Sequence, residues 1–193
     1  MDLKGKKVGF AMCGSFCTFK RAIVELEKLA QTGADIIPIM SPASFGTDTR
    51  FGTAEFFTKK IEDITGKKII TEIKDAEPIG PKNLLDILIV LPCTGNSLAK
   101  IATGIADTSV TLSVKAHLRN QKPVLLAVST NDGLGTAAKN IATLLNTKHI
   151  FFIPFSQDDY IKKPNSLVAD FEYLIPAAEA ALEHKQLQPI LCC

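Results

Sequence analysis

The sequence predicts an α/β fold: a three-layer, doubly wound parallel sheet of about six strands, of Rossmann or flavodoxin type, in a single domain. Three observations carry that expectation. Apolar runs of strand length alternate with amphipathic helical stretches along the chain, with no internal repeat or low-complexity segment. The run at 87–91 is apolar throughout, as in a parallel strand buried on both faces, and Pro92 with the small polar residues Thr94 to Ser97 closes it before a helical pattern opens. Finally, 193 residues with 46% hydrophobic and 22% charged side chains suffice for one sizeable core.

Taken in order, KVGFAM at 7–12 reads as the first strand, and 13–18 as a loop of small residues. A helix follows at 19–31, with Ile23, Leu26, Leu29 and Ala30 on one face and Gly33 as its stop. DIIPIM at 35–40 is a second strand, in which Pro38 suggests a bulge or local irregularity. After a polar loop at 41–50, a helix is expected over 53–65, ended by Gly66, then a short third strand at 68–70. The stretch 71–82, holding Pro78, Gly80 and Pro81, is irregular. The fourth strand, 87–91, leads into a helix capped by Ser97 or Asn96, with Leu98, Ile101, Ala102 and Ile105 as its apolar stripe. A helix at 108–120, a fifth strand at 123–128, a loop at 131–135, a helix at 136–146 and a sixth strand at 149–154 continue the alternation. A closing helix is expected over 166–183, kinked or divided at Pro176, and the tail from about 185 to 193 is expected to be flexible. Right-handed crossovers then suggest the strand order 3-2-1-4-5-6.

A formal net charge of +2 offers no reason to invoke nucleic acid or a membrane surface as partner. No apolar run approaches the roughly 20 residues of a membrane span, and the first residues lack a signal-peptide pattern, so a cytoplasmic protein is expected. Cys13, Cys17, Cys93, Cys192 and Cys193 suit that compartment as free thiols. They form no C-x-x-C, and His117, His149 and His184 are scattered, so no metal site is expected.

The carboxyl edge of such a sheet is where ligands bind. The first turn, GFAMCGSF, lacks the second glycine of G-x-G-x-x-G, and Ser15 stands where a P-loop needs lysine. Strand two ends in Met40, Ser41 and Pro42 rather than in the acid that holds a ribose diol. Hydroxyls at two neighbouring strand ends, Ser15 and Ser41, suit a terminal phosphate and favour a mononucleotide such as FMN; on the residues alone, both serines as helix or turn caps remains an open alternative.

The string LPCTGNSLAKIATGIAD at 91–107 resembles the P-A-S-A-N-T-L-A-K-I-A-x-G-I-A-D signature of the flavin-containing cysteine decarboxylase superfamily. Phosphopantothenoylcysteine decarboxylases and flavin prenyltransferases belong to it or lie close to it. The resemblance runs from the first strand through the loop after strand five. It implies FMN as cofactor, with the phosphate held by the turn after strand one and the hydroxyl ending strand two, and the ribityl chain and ring touched by the S-A-N-T segment. Those roles fall on Gly14, Ser15 and Phe16, on Ser41, and on Thr94, Asn96 and Ser97, with residues 43–45 near the same loop.

Departures from the decarboxylase pattern narrow the activity. Aligned on Asp86, the position of the active-site His is Pro78, which has no titratable group to act as a base. Of the P-x-M-N-x-x-M-W segment after strand five only Asn131 survives, and the flap cysteine has no counterpart, so oxidative decarboxylation of a cysteine is not expected. Prenyltransferases need cations for a prenyl phosphate; Lys139, Lys162 and Lys163 are nominees that a solvated face explains as well.

Within the superfamily, SPASFGTDTRFG (41–52), STNDGLG (129–135) and PFSQDD followed by KKPNSLVADF resemble the B-type branch of the dipicolinate synthases. That resemblance implies an oxidoreductase subunit working with a second, NADP-binding and dehydrogenase-like A subunit. Together they would convert a dihydrodipicolinate-level precursor to pyridine-2,6-dicarboxylate during endospore formation. Arg50 and Asn131, with Lys163 behind them, are the candidates to receive the dicarboxylate; Arg50 as a solvated loop charge is an equal reading. A stand-alone FMN-dependent decarboxylase or prenyltransferase, and a non-catalytic protein that stabilises the dehydrogenase-like partner, are the alternatives. The small residues Ala99, Thr103, Gly104 and Ala106 opposite the apolar stripe permit close helix contact, and the superfamily packs as trimers, so a trimer-based homo-oligomer is expected.

Overall fold

A computed structural model of the chain describes residues 2–192, so the expectation for Cys193 lies outside the described residues. Five parallel strands form the frame: β1 (Lys7–Met12), β2 (Asp35–Met40), β3 (Ile87–Cys93), β4 (Val124–Thr130) and β5 (Ile150–Phe152). They pair in the order β2-β1-β3-β4-β5. The expected strand at 68–70 is reduced to one parallel bridge, Ile70 to Ile39, outside β2. The predicted order holds, with its outermost member a single rung. Two short strands that the sequence pattern does not announce, β6 (Phe155–Ser156) and β7 (Leu167–Ala169), extend the sheet antiparallel from the end of β4, where Ser129 faces Val168 and Thr130 faces Leu167.

Right-handed crossovers distribute the helices over both faces. α1 (Phe19–Gln31) returns β1 to β2, and α2 (Pro42–Gly46) and α3 (Ala54–Thr65) follow β2. α4 (Ile73–Ala76) and a 3-10 turn, Glu77–Ile79, pack on α6 (Ser109–Leu118), which with α5 (Gly95–Thr103) connects β3 to β4. α7 (Ala138–Leu145) joins β4 to β5 beside α5, and α8 (Leu174–Leu182) packs on β3 and β4. The order reverses between β1 and β3, so α1 and α6 lie on opposite faces and a crevice opens at that switch point. All seven residues of β3 are buried. Phe10, Phe19, Phe57, Phe152 and Phe171 fill the core beside it.

Several boundaries are corrected. β3 runs two residues beyond the expected stop, through Pro92 to Cys93, across a register shift after Val90 that accommodates the missing Pro92 N–H. The cap of α5 therefore moves back to Thr94, whose hydroxyl accepts from the Ser97 N–H at 3.3 Å, in place of Ser97 or Asn96. α5 ends at Thr103 because Gly104 turns left-handed (φ 75°), so Ile105 leaves the expected apolar stripe and is exposed.

A further correction concerns the closing helix, which begins only at Leu174, after β7 and a 3-10 turn at Phe171–Tyr173. Gly133 makes room for that pairing, since a Cβ there would meet Leu167 at 2.6 Å. Pro176 sits in the first turn of α8, where its missing N–H goes unneeded, so it produces no break.

Residues 185–192 run beside β5 and β6. The Gln186 amide bonds both the N–H and the C=O of Phe152, at 2.8 and 2.7 Å, and so occupies the open edge of β5. Cys13, Cys17 and Cys93 are free thiols. Among the described residues no helix is long and apolar enough to cross a membrane, and no group of three or more His, Cys, Asp or Glu is placed to hold a metal ion.

Candidate functional site

At the carboxyl edge, where β1 and β3 diverge, lies a cleft of about 660 Å³. Its floor is the turn after β1, Gly14 to Thr18, tightened into a 3-10 turn at Phe16–Thr18. The Thr18 hydroxyl donates to the Ser15 carbonyl at 2.8 Å, and the Ser15 hydroxyl lies 2.8 Å from that of Ser129 at the end of β4. Opposite stand Thr94 and Gly95 at the start of α5. A Cβ on Gly95 would lie 2.7 Å from the Thr130 hydroxyl and 2.9 Å from an Asp132 carboxylate oxygen, so only glycine fits there.

Cations line the rest. Arg21 reaches in from α1 with its guanidinium 5.0 Å from the ring centre of Phe171, and Arg50 from the loop after α2, 4.9 Å over Phe51. Lys163, from the loop joining β6 to β7, is paired with Asp158 at 3.0 Å. Burial pushes the Asp158 carboxyl up, but the Ser166 hydroxyl and the Lys163 ammonium outweigh it and hold that carboxyl below its ordinary value; Asp158 in turn raises Lys163.

Seven residues singled out from sequence meet in this cleft: Gly14, Ser15, Phe16, Thr94, Arg50, Asn131 and Lys163. Three do not line it. The Ser41 hydroxyl is buried and caps α2, accepting from the Ser44 N–H at 3.3 Å. Ser97 is buried and donates to the Cys13 sulfur at 3.0 Å, while Asn96 is exposed on α5. Lys139 and Lys162 also lie outside the lining, and Pro78 sits in the turn packed on α6.

Sequence reasoning missed Arg21, Gly95, Ser129, Thr130 and Asp158. A signal existed for Arg21: α1 opens with Lys20 and Arg21 and no acidic residue in its first turn, the wrong charge for a helix start. The buried thiols are not nucleophiles. Burial raises Cys13 to about 11, against the opposing Ser97 hydroxyl, and raises Cys93 well above the ordinary value. A second cleft, about 720 Å³, opens at the amino edge beside His149 and His184, away from the strand ends where such sheets bind ligands.

The family model described as Flavoprotein matches residues 1–171. The chain is 48% identical over 190 residues to the B subunit of dipicolinate synthase from Bacillus subtilis (strain 168), a match spanning 98% of this chain and 95% of that protein. It superposes with a TM-score of 0.92 on the crystal structure of the dipicolinate synthase B subunit from Bacillus halodurans, at 44% identity over 100% of this chain and 99% of that one. The FMN-dependent cysteine decarboxylase SpaF shares the fold, with a TM-score of 0.67 at 23% identity over 94% of this chain and 98% of its own.

Proposed function

The chain belongs to the flavoprotein family, and from that premise we propose that it binds FMN and acts as the flavoprotein subunit of a dipicolinate synthase. With an NADP-binding A subunit it would oxidise a dihydrodipicolinate-level precursor to pyridine-2,6-dicarboxylate in the cytoplasm during sporulation. One observation carries this reading. Gly14, Ser15, Phe16 and Thr94 converge on a single cleft with Arg50 and Asn131, in a chain closely similar to a dipicolinate synthase B subunit.

The residues fit a mononucleotide. The cleft volume lies within the usual range for cofactor sites, and Gly95 lets the start of α5 approach the Thr130 and Asp132 side chains closely at the cleft wall. The Gly14–Ser15 turn and the N-terminus of α1 present neutral donors to a phosphate, while Thr94 and Gly95 receive the ribityl chain and ring. Ser41, Asn96 and Ser97, which the resemblance also nominates, would act behind these residues, Ser41 by capping α2 and Ser97 by its hydrogen bond to the Cys13 sulfur just after β1. FMN, when bound, supplies two-electron acceptor chemistry.

The chain's own residues do the rest. Arg50 and Asn131 orient a substrate carboxylate through charge-assisted hydrogen bonds, and the walls of the cleft limit access of water. No nicotinamide fingerprint is present in the chain, so a partner with such a site is needed to carry electrons onward.

Two experiments test the proposal. Purified protein should quench FMN fluorescence saturably, and dipicolinate formation should require the NADP-binding partner. Absence of quenching would remove the flavin reading and leave a stabilising role. Full-rate dipicolinate formation by this chain alone would remove the two-subunit reading.

A further inference from the structure

Arg21 has no part in the roles assigned above, yet three features mark it. It stands with Lys20 in the first turn of α1, where no acidic residue offsets the cations, so the helix dipole disfavours it unless an anion is bound nearby. Its guanidinium lies 5.0 Å from the ring centre of Phe171, which is only 1% exposed, while Arg21 itself is exposed, so the stacking orients the side chain at the cleft with its N–H edges free. No ion pair with a carboxylate is made by Arg21 or by Arg50 among the described residues, whereas the third cation of the cleft, Lys163, is neutralised by Asp158.

The cleft thus holds two uncompensated guanidinium groups on two separate elements, α1 and the loop after α2. Two planar forks match two planar carboxylates, because each fork can bond one carboxylate in two places. We propose that Arg21 is the second carboxylate-binding residue of this cleft, and that Arg21 and Arg50 together select a dicarboxylate over a monocarboxylate. The inference rests on the proposed function, in that it takes the substrate to occupy this cleft. A flavin phosphate is the other anion that Arg21 could meet, and the test separates the two.

The FMN-loaded protein, by itself and in complex with the NADP-binding partner, is titrated calorimetrically with pyridine-2,6-dicarboxylate and with pyridine-2-carboxylate. The wild type should prefer the dicarboxylate by roughly 10- to 100-fold, the effect of one added charge-assisted contact. Arg21→Gln should weaken the dicarboxylate by about the same factor and leave the monocarboxylate within about threefold, collapsing the preference. Arg21→Lys should fall between, since an ammonium keeps the charge without the fork. Fluorescence titrations of the same variants with FMN and riboflavin should match the wild type, which also verifies folding.

Unchanged dicarboxylate binding in Arg21→Gln, with normal wild-type binding, overturns the assignment alone. Loss of FMN binding with riboflavin binding retained moves Arg21 to the phosphate and overturns it as well. A wild type that binds FMN but neither pyridine carboxylate removes the substrate reading itself, and the assignment with it.

Discussion

The hydroxyls of Ser15 and Ser129 stand 2.8 Å apart, joining the turn after β1 to the end of β4 across 114 positions of sequence. A hydroxyl carries one donor and two acceptor sites, so the pair uses one O–H internally and leaves the other free to donate into the cleft. On the proposed placement of the phosphate beside Ser15, removing Ser15 would delete a donor to it, whereas removing Ser129 would only release the Ser15 hydroxyl. Ser15→Ala should weaken FMN binding by roughly tenfold and leave riboflavin unaffected, while Ser129→Ala should change FMN affinity by less than about fivefold. Fluorescence quenching with both flavins checks this, and equal losses for FMN and riboflavin would contradict it.

Arg50→Ala and Asn131→Ala should each lower the rate of dipicolinate formation in the reconstituted pair by roughly 10- to 100-fold, with FMN affinity unchanged. Lys163→Ala should cost less than about fivefold, because Asp158 already holds that ammonium. Steady-state rates at fixed FMN saturation distinguish the three variants. A Lys163 effect as large as that of Arg50 would reverse the ranking.

His117 is fully buried in α6, and neither ring nitrogen has a hydrogen-bond partner. Burial, with a contribution from the Lys122 charge, lowers its pKa from 6.5 to about 4, so the folded state keeps the ring neutral. Above about pH 6.5 the ring is neutral in both states and stability is at its full value. Between about 6.5 and 4 the unfolded chain binds a proton that the folded chain refuses, so stability falls as pH falls, by roughly 3 kcal/mol in all. Urea unfolding at pH 7 and pH 5 should show this loss in the wild type and a smaller one in His117→Leu. Parallel pH dependence of the two would exclude His117 as the cause.

Past the end of α5, Ile105 is 49% exposed and lines an apolar groove of about 340 Å³ with Ile101, Val114 and Leu118. In place of the small-residue face that the sequence pattern suggested, we expect this groove to pack against other copies of the chain in a trimer-based assembly. Light scattering at micromolar concentration should give a multiple of the chain mass, and Ile105→Glu should shift it toward monomer, since a charge in an apolar contact is unfavourable. A monomeric wild type would refute the assembly.

Elements with a strong local pattern are legible in the amino-acid sequence. The four long strands are largely continuous apolar runs, α1 and α3 repeat their apolar residues at helical spacing, and the two helices are followed by Gly33 and Gly66, both with positive φ. The turn at Gly14 to Phe16 and the start of α5 fall at strand ends that the apolar pattern marks, and both line the cleft at the carboxyl edge. Where prediction fails, the controlling contact lies far along the chain. β7 is three residues long and exists because Ser129 and Thr130 offer it a free edge.

By itself, then, the sequence determined the alternation of strand and helix, the order of the parallel strands and the family motif, since these follow from periodicity, punctuation and handedness acting over a few residues. Tertiary structure alone decided which of the nominated side chains face the cleft. It turned Ser41 to capping and Ser97 to the Cys13 sulfur, set Ser15 against Ser129, neutralised Lys163 with Asp158 and laid Arg21 on Phe171. Each of those outcomes depends on the packing of segments distant in sequence, a geometry that no local pattern encodes.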